Sequence, residues 1–291
     1  MSRAKTWAMA LGATAMATTA LAGPVAAAED GIGTRVIGGG PVSVADHPWM
    51  VFLSDPHAYP DRPSNHQCGG ALVAPTKVVT AAHCVDETRL GDLDVVGGRT
   101  DLRTDAGEVR KVVAIDPHEK VPGPPPPEGG QSYPGGDVAV LTLDRPMPYR
   151  TLPVATPEQA EELYRPGTPA QVLGWGVSSE EQLGAPPAES ATPLLQEAQL
   201  PLVSDEACRD AALHGSPWPV AFHPEHYVCA GYEQGGVASS GGDSGGPLVV
   251  DGKLVGVTAL AIPRGAELRL ADVLTGYTRI TTFHDHVAPH L

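Results

Sequence analysis

Glycine and proline punctuate this chain so densely that short strands are favoured over long helices: 34 Gly and 30 Pro are spread over 291 residues. The apolar runs left between them are short, such as Trp49-Met50-Val51-Phe52-Leu53, Val138-Ala139-Val140-Leu141 and Leu248-Val249-Val250. Runs of that length bounded by turn formers read as short strands joined by many turns. The length suffices for one large domain or two small ones with a substantial core. A net charge of −15 leaves no cationic surplus to neutralise phosphates, which argues against a nucleic-acid partner. The acidity favours solubility and cationic ligands and says nothing about fold.

Residues 1–28 read as a signal peptide. Arg3 and Lys5 form a positive start, an Ala-rich apolar run covers residues 7–22, and Ala26-Ala27-Ala28 offers the small residues of a cleavage site. The run is interrupted by Thr and Gly and no second long apolar stretch follows, so the expected product is secreted, extracellular and without a membrane anchor. Export changes the reading of the cysteines, Cys68, Cys84, Cys208 and Cys229. In an oxidising compartment an even count implies two disulfides, with three possible connectivities. Bridging near neighbours gives Cys68–Cys84 and Cys208–Cys229, each closing a loop worth about 3 kcal/mol in the chain-entropy model. Zinc held by four thiolates is the rival, and these spacings do not suit it.

The chemistry concentrates in Gly241-Gly242-Asp243-Ser244-Gly245-Gly246-Pro247. A serine hydroxyl is a poor nucleophile at neutral pH and needs a base beside it and donors for the oxyanion it creates. Glycines flanking Ser244 permit a tight turn that brings N–H groups near a substrate carbonyl; a plain Gly-rich turn is the alternative. One histidine among eleven is distinguished. His83 ends a hairpin of two β-rich runs, 66–73 and 78–83, beside Cys84, whose bridge would hold it still. Asp137 opens an apolar strand over 137–143, where a bare carboxylate would be costly, so it either caps the strand or has a histidine partner. Ahead of it, residues 121–136 are dominated by Pro and Gly and form a surface loop, partly polyproline-like. Residues 157–164 tolerate helix, a short stretch with helical character precedes Cys208, Asp251-Gly252 suits a type I′ hairpin turn, and residues 280–291 suit a short terminal helix. His223 with His226, and His284-Asp285-His286, lack a full metal-ligand set and read as surface histidines, so neither metal nor cofactor is expected. Asn65, the only asparagine, is followed by His-Gln, so the chain carries no N-glycosylation sequon.

Together these segments resemble the trypsin/chymotrypsin family of serine endopeptidases. The resemblance rests on Val36-Ile37-Gly38-Gly39, Thr80-Ala81-Ala82-His83-Cys84, Asp137-Val138-Ala139-Val140-Leu141, Gly174-Trp175-Gly176, Cys229-Ala230-Gly231-Tyr232 and Gly242-Asp243-Ser244-Gly245-Gly246-Pro247, in the family's order. It implies an all-β fold of two six-stranded antiparallel β-barrels with the active site between them and a short C-terminal helix. The expected division is a signal peptide 1–28, an activation propeptide 29–35, an N-terminal barrel 36–155 with His83 and Asp137, and a C-terminal barrel 156–291 with Ser244 and the specificity pocket. His83, Asp137 and Ser244 would be the catalytic triad, and the N–H groups of Gly242 and Ser244 the oxyanion hole. Cutting the Arg35–Val36 bond would free an α-amino group to pair with Asp243, so the uncut chain would be a weakly active zymogen; a loop-capping carboxylate is the plainer reading of Asp243.

The chain departs from the family at the pocket. The trypsin branch has an aspartate six residues before the nucleophile, and Ala238 stands there. With Ser239, it suggests a neutral pocket that would leave a Lys or Arg charge unpaired. Ala259, Leu260 and Ala261 replace Ser-Trp-Gly on the pocket wall, and Thr275 replaces a glycine, so small or medium apolar side chains are expected at P1, the residue before the scissile bond. Ala259 also removes a hydroxyl that supports the buried aspartate, and Ser240 stands at a position bridged by cysteine in many relatives. The expected partners are polypeptide substrates and a separate activating trypsin-like protease, since a neutral pocket would not accept Arg35; the chain is expected to be monomeric. The rival readings are a binding protein on a catalytically weak protease scaffold, and trypsin-like specificity despite Ala238.

Overall fold

The computed structural model describes residues 38–177, 192–265, 269 and 272–291. The leader 1–28, the segment 29–35 and the Arg35–Val36 bond lie outside the described residues, as does most of the polar loop between residues 178 and 193. Fifteen strands are described. In chain order they begin with β1 (Gly40–Pro41), β2 (Met50–Ser54), β3 (His66–Ala74), β4 (Lys77–Thr80) and β5 (Asp94–Gly97). β6 (Glu108–Pro117), β7 (Gln131–Ser132) and β8 (Ala139–Leu143) complete the first half.

β2, β3, β4, β8, β6 and β5 close into an antiparallel barrel. Its central strands are apolar on both faces: every residue of β2 is buried. β6 instead alternates, with Arg110 and Val112 inward and Val109, Lys111 and Val113 outward, the period-two pattern of a strand with one wet face. The hairpin expected over residues 66–83 forms as β3 and β4, paired antiparallel.

The second half contributes β9 (Pro169–Gly174), β10 (Gln196–Val203), β11 (Val220–Ala221), β12 (Tyr227–Ala230), β13 (Pro247–Val250), β14 (Lys253–Pro263) and β15 (Val273–Arg279). β10, β12, β15, β14, β13 and β9 bond in that order, and β9 pairs back onto β10, which closes a second antiparallel six-stranded barrel. β1 adds to the outer edge of β10. The Asp251-Gly252 turn joins β13 to β14 with positive φ at both residues, 48° and 67°, as a type I′ hairpin requires. Val172, Leu200, Leu248, Val255 and Tyr277 pack inside this barrel. Val51, Leu72, Val78 and Leu141 fill the first, whose cluster continues into Val257, Ile280 and Phe283 of the second half.

Helices are few and short. A single turn at Pro157–Gln159 runs into α1 (Ala160–Leu163), and the C-terminal helix α3 covers only His284–Val287. α2 (Asp205–His214) contains Cys208, which the sequence placed after rather than within the helix. Its start is set by Ser204, whose hydroxyl accepts the Ala207 N–H at 3.1 Å, with Asp205 and Glu206 favouring the positive end of the helix. Two disulfides form, Cys68–Cys84 from β3 to the turn after β4, and Cys208–Cys229 from α2 to β12. Among the described residues no helix is long and apolar enough to cross a membrane.

The loop over residues 121–136 differs from its sequence reading. It contains β7, which pairs in parallel with β11 of the second half. Proline-rich sequence hides such a strand because only two residues pair and their acceptors lie about 90 residues away in the chain.

Candidate active site

β4 and β8 pair antiparallel with Thr80 opposite Ala139. The chain that leaves β4 and the chain that enters β8 therefore share one end of the barrel. His83 follows Thr80 by three residues, in a tight turn at Ala82–Cys84 pinned by the Cys68–Cys84 disulfide. Asp137 precedes Ala139 by two, just ahead of the strand rather than inside it. The two meet twice: His83 N donates to Asp137 Oδ1 at 2.9 Å, and His83 Nδ1 lies 2.8 Å from Asp137 Oδ2. A carboxylate on Nδ1 holds the proton there and leaves Nε2 as the basic nitrogen. The Asp137 carbonyl also accepts from Thr278 Oγ1 of β15 at 2.8 Å, so the second barrel grips the same residue. Ala259 offers Asp137 no hydroxyl, and the two bonds from His83 hold its carboxylate.

Burial alone would lower the His83 pKa. The hydrogen bond and charge of Asp137, with the charge of Asp86, outweigh that burial and the opposing Lys120, and the net shift is upward. Lys120 and Asp86 pair with each other at 2.5 Å, close to the imidazole. Neither residue was marked by the sequence, because both sit in loops with no periodicity.

Ser244 lies in the loop between β12 and β13. Gly242 and Gly245 adopt φ of +95° and +77°, which side chains rarely tolerate. The Ser244 carbonyl accepts from Gly69 N of β3 at 2.8 Å, and Gly245 N donates to Thr258 O at 2.9 Å, so both barrels hold the loop. Among the described residues the N–H groups of Gly242 and Ser244 have no protein acceptor, and no hydrogen bond joins Ser244 to His83, whose Nε2 lies 3.7 Å from Cys84 Sγ.

Asp243 is buried at 2% exposure and accepts from Gly176 N at 2.8 Å and Ser240 N at 2.9 Å. Ser240 Oγ turns to the Val177 carbonyl. A Cβ at Gly174 or Gly176 would overlap the Asp243 carboxylate, which explains the two glycines around Trp175. Among the described residues no cation pairs with Asp243, and desolvation pushes its pKa up to about 6. Beside it, His66 is fully buried among Phe52 and Trp175 with neither ring nitrogen bonded, so burial, with Arg62 nearby, lowers its pKa to about 3 and keeps it neutral. Its role was not visible in the sequence, since the aromatic cage comes from β2 and from the residue following β9.

A cavity of about 240 Å³ opens beside Ser244, lined by Ser239, Ser240, Gly241, Thr258, Ala259, Leu260, Ala261, Val273 and Thr275. Among the described residues no carboxylate lines it. Ala238 is fully buried and does not face the cavity; Ser239 does, with its N–H on Thr275 Oγ1 and its hydroxyl 2.9 Å from Tyr277 Oη. A second cavity, of about 260 Å³, is lined by His83, Asp137, Lys120, Tyr133, Pro134, Tyr227 and Ala259, and a third, of about 700 Å³, lies on the Cys84 side of His83 among Asp55, Asp86, Glu87 and Asp92.

Residues 36–287 match the family model described as Trypsin. The chain is 39% identical over 224 residues to a trypsin of Saccharopolyspora erythraea, covering 77% of this chain and 86% of that one. It is 33% identical over 233 residues to a trypsin of Simulium vittatum, covering 79% and 84%. Among solved structures, the VesB protease of Vibrio cholerae superposes with a TM-score of 0.64 at 27% identity, covering 88% of this chain and 68% of that one.

Proposed function

The chain belongs to the trypsin family of serine endopeptidases, and on that premise we propose that it hydrolyses peptide bonds through His83, Asp137 and Ser244. The observation that carries the assignment is the doubly bonded His83–Asp137 pair, with both barrels holding the Ser244 loop. His83 Nε2 takes the Ser244 proton as Oγ attacks the substrate carbonyl and returns it to the leaving amine; water then releases the acyl group by the same route. Asp137 keeps the tautomer and stabilises the imidazolium. The N–H groups of Gly242 and Ser244, without an acceptor among the described residues, receive the oxyanion, each worth roughly 2.7–4 kcal/mol in such sites. Among the described residues no strand pairs with Ala259 or the following residues of β14 on the side away from β15. A substrate backbone can add there as an extended strand.

The P1 side chain then enters the 240 Å³ cavity. Its walls carry Thr275, Ala259 and Ala261 and, among the described residues, no carboxylate, which supports small or medium apolar residues over Lys or Arg. Relatives carry the name trypsin, yet Ala238 replaces the pocket aspartate of that branch. The chain is read as secreted and made as a zymogen opened at Arg35–Val36 by another protease of Arg specificity. Asp243, buried and with no cation beside it among the described residues, supports this, as does Gly38, which already abuts Gly236 and Val237 in the loop leading to Asp243.

The test is hydrolysis of a peptide set varied at P1 by protein beginning at Val36, with Ser244→Ala as control. Turnover after Ala, Val or Leu, abolished in the control, is the expected result. Cleavage after Arg or Lys would overturn the pocket assignment and leave the triad. An absence of Ser244-dependent turnover would overturn the protease assignment for this chain.

A further inference from the structure

Five of the eleven histidines gather where the end of β6, the turn before β12 and the C-terminal helix converge. Buried Phe283 lies between two of them, its ring centroid 4.8 Å from that of His118 and 5.2 Å from that of His226. His223 tilts against His226 at 4.8 Å, His286 meets His118 edge-on at 5.1 Å, and His290 lies 6.2 Å beyond His286. The sequence reads His223, His226 and His286 as surface residues, yet all three are half-buried, because the elements that cover them are distant in the chain.

Two of these rings seat the segment that enters β8. A Cβ on Gly135 would overlap His226 Nδ1, and one on Gly136 would crowd His118 Nδ1, so each glycine rests on an imidazole. Asp137 is the next residue. Surrounding bonds keep the seat in place. His223 Nε2 donates to Pro122 O at 2.8 Å, and His118 N donates to Val138 O at 2.9 Å. Val121 and Gly135 exchange both backbone bonds, at 3.0 and 2.8 Å.

The seat suits uncharged rings. His118 Nδ1 donates to the Glu119 carbonyl at 2.6 Å, a bond the neutral tautomer already makes. His226 Nδ1 is buried and has no partner among the described residues, so a charged ring would hold an N–H there without an acceptor. Burial, helped by His223 and His118, outweighs the nearby Glu225 and sets the His226 pKa below its usual 6.5. Glu225 itself lies 3.4 Å from His223 Nδ1. On the far side the Asp116 carbonyl accepts from His286 and its carboxylate meets His290 at 2.8 Å. Arg279, whose N–H donates to the His226 carbonyl, turns its guanidinium to Asp205. Protons taken up by His118, His223 and His226 would therefore place like charges side by side beneath Gly135 and Gly136.

We propose that His118 and His226 form a pH latch on Asp137: uncharged, their rings seat Gly135 and Gly136 and keep the carboxylate on His83; charged in acid, they unseat the segment and withdraw Asp137. The consequence for activity rests on the protease reading above, whereas the latch is a property of the fold. Acid would then act twice, first by protonating His83 and at lower pH by removing its partner.

The experiment follows amide hydrogen exchange by mass spectrometry in Ser244→Ala protein beginning at Val36, with rates corrected for their intrinsic pH dependence. From pH 7.5 to 5, peptides spanning residues 118–138 should lose protection by about tenfold or more, the change that one extra proton on the open state gives over one pH unit. Peptides of the β13–β14 hairpin should keep theirs. His226→Phe fills the ring space without a proton site and should limit the loss to about threefold. His226→Asn, smaller and uncharged, should do the same and guards against misfolding of the phenylalanine variant. In kinetics, the acid limb of kcat/KM should steepen from one proton to two below pH 6.5, and His226→Phe should restore a single proton. A merely structural role would lower activity at every pH and leave that slope alone. Equal pH dependence in the two sets of peptides, a loss unaltered in both variants, or a one-proton limb in the unsubstituted protein overturns the latch alone. Absence of Ser244-dependent turnover overturns the protease reading, and the exchange result still decides the latch.

Discussion

His83 carries the clearest pH consequence. The base role proposed for it needs the neutral ring; burial pulls its pKa down, and the hydrogen bond and charge of Asp137 with the charge of Asp86 outweigh that, so its net shift from the usual 6.5 is upward. The acid limb of kcat/KM is therefore expected above pH 6.5. Asp86→Asn should move that limb to lower pH by removing a charge that favours the imidazolium, and Lys120→Met should move it higher; pH profiles of the two variants check the signs. Asp137→Asn removes the acceptor that fixes the tautomer and is expected to lower kcat by about 10⁴, measured by steady-state hydrolysis. At this scale the sequence was partly legible. His83, Asp137 and Ser244 each stood out by their neighbours, whereas Lys120 and Asp86 are 34 residues apart in two loops and become partners only through the packing of those loops. Ala238 shows the complementary limit. Its position relative to Ser244 could be counted, but that Ser239 and Thr275 face the cavity in its stead is a matter of packing.

Among the elements, the segment from β9 into Trp175 shows how a motif acquires its reason. Gly174 and Gly176 leave room for the Asp243 carboxylate, and Gly176 donates to it. Gly176→Ala would force the carboxylate and the nucleophile loop aside. The expected cost is about 1–3 kcal/mol of stability, as for other overpacked sites, with a fall in kcat larger than the change in KM; denaturant unfolding and steady-state kinetics check the two halves. The strand hairpins β3–β4 and β13–β14 could be read from apolar runs and turn residues, because both partners lie within one short stretch. β7 could not, since its hydrogen-bond partners come from the other barrel.

For the whole molecule, the proposed cleavage at Arg35–Val36 would link covalent processing to stability through Asp243. In the uncut chain its pKa stands near 6 against an ordinary 3.8, because burial penalises the charge. The folded state thus binds that proton more tightly than the unfolded state, and stability should fall as pH rises from about 4 through 6, by about 3 kcal/mol. An amino group freed at Val36 and paired with Asp243 would offset this loss above pH 6. Thermal unfolding of Ser244→Ala protein, cut and uncut at Arg35–Val36, should show a higher Tm for the cut form at pH 7.5. Asp243→Asn should remove both the pH slope and the gain; equal Tm values for cut and uncut protein would refute the coupling. The sequence by itself determined the short-strand character, the hairpin turns and the residues whose neighbours marked them as candidates for catalysis, because each depends on residues close in the chain; it left three cysteine connectivities, of which the structure forms Cys68–Cys84 and Cys208–Cys229. Only the tertiary structure decided that β4 and β8 bring His83 onto Asp137, that the Pro-rich loop lies on β11, which residues face each cavity, and how far Asp243 is desolvated. Strand register, cavity shape and burial are sums over atoms distant in sequence, and no local conformational preference specifies them.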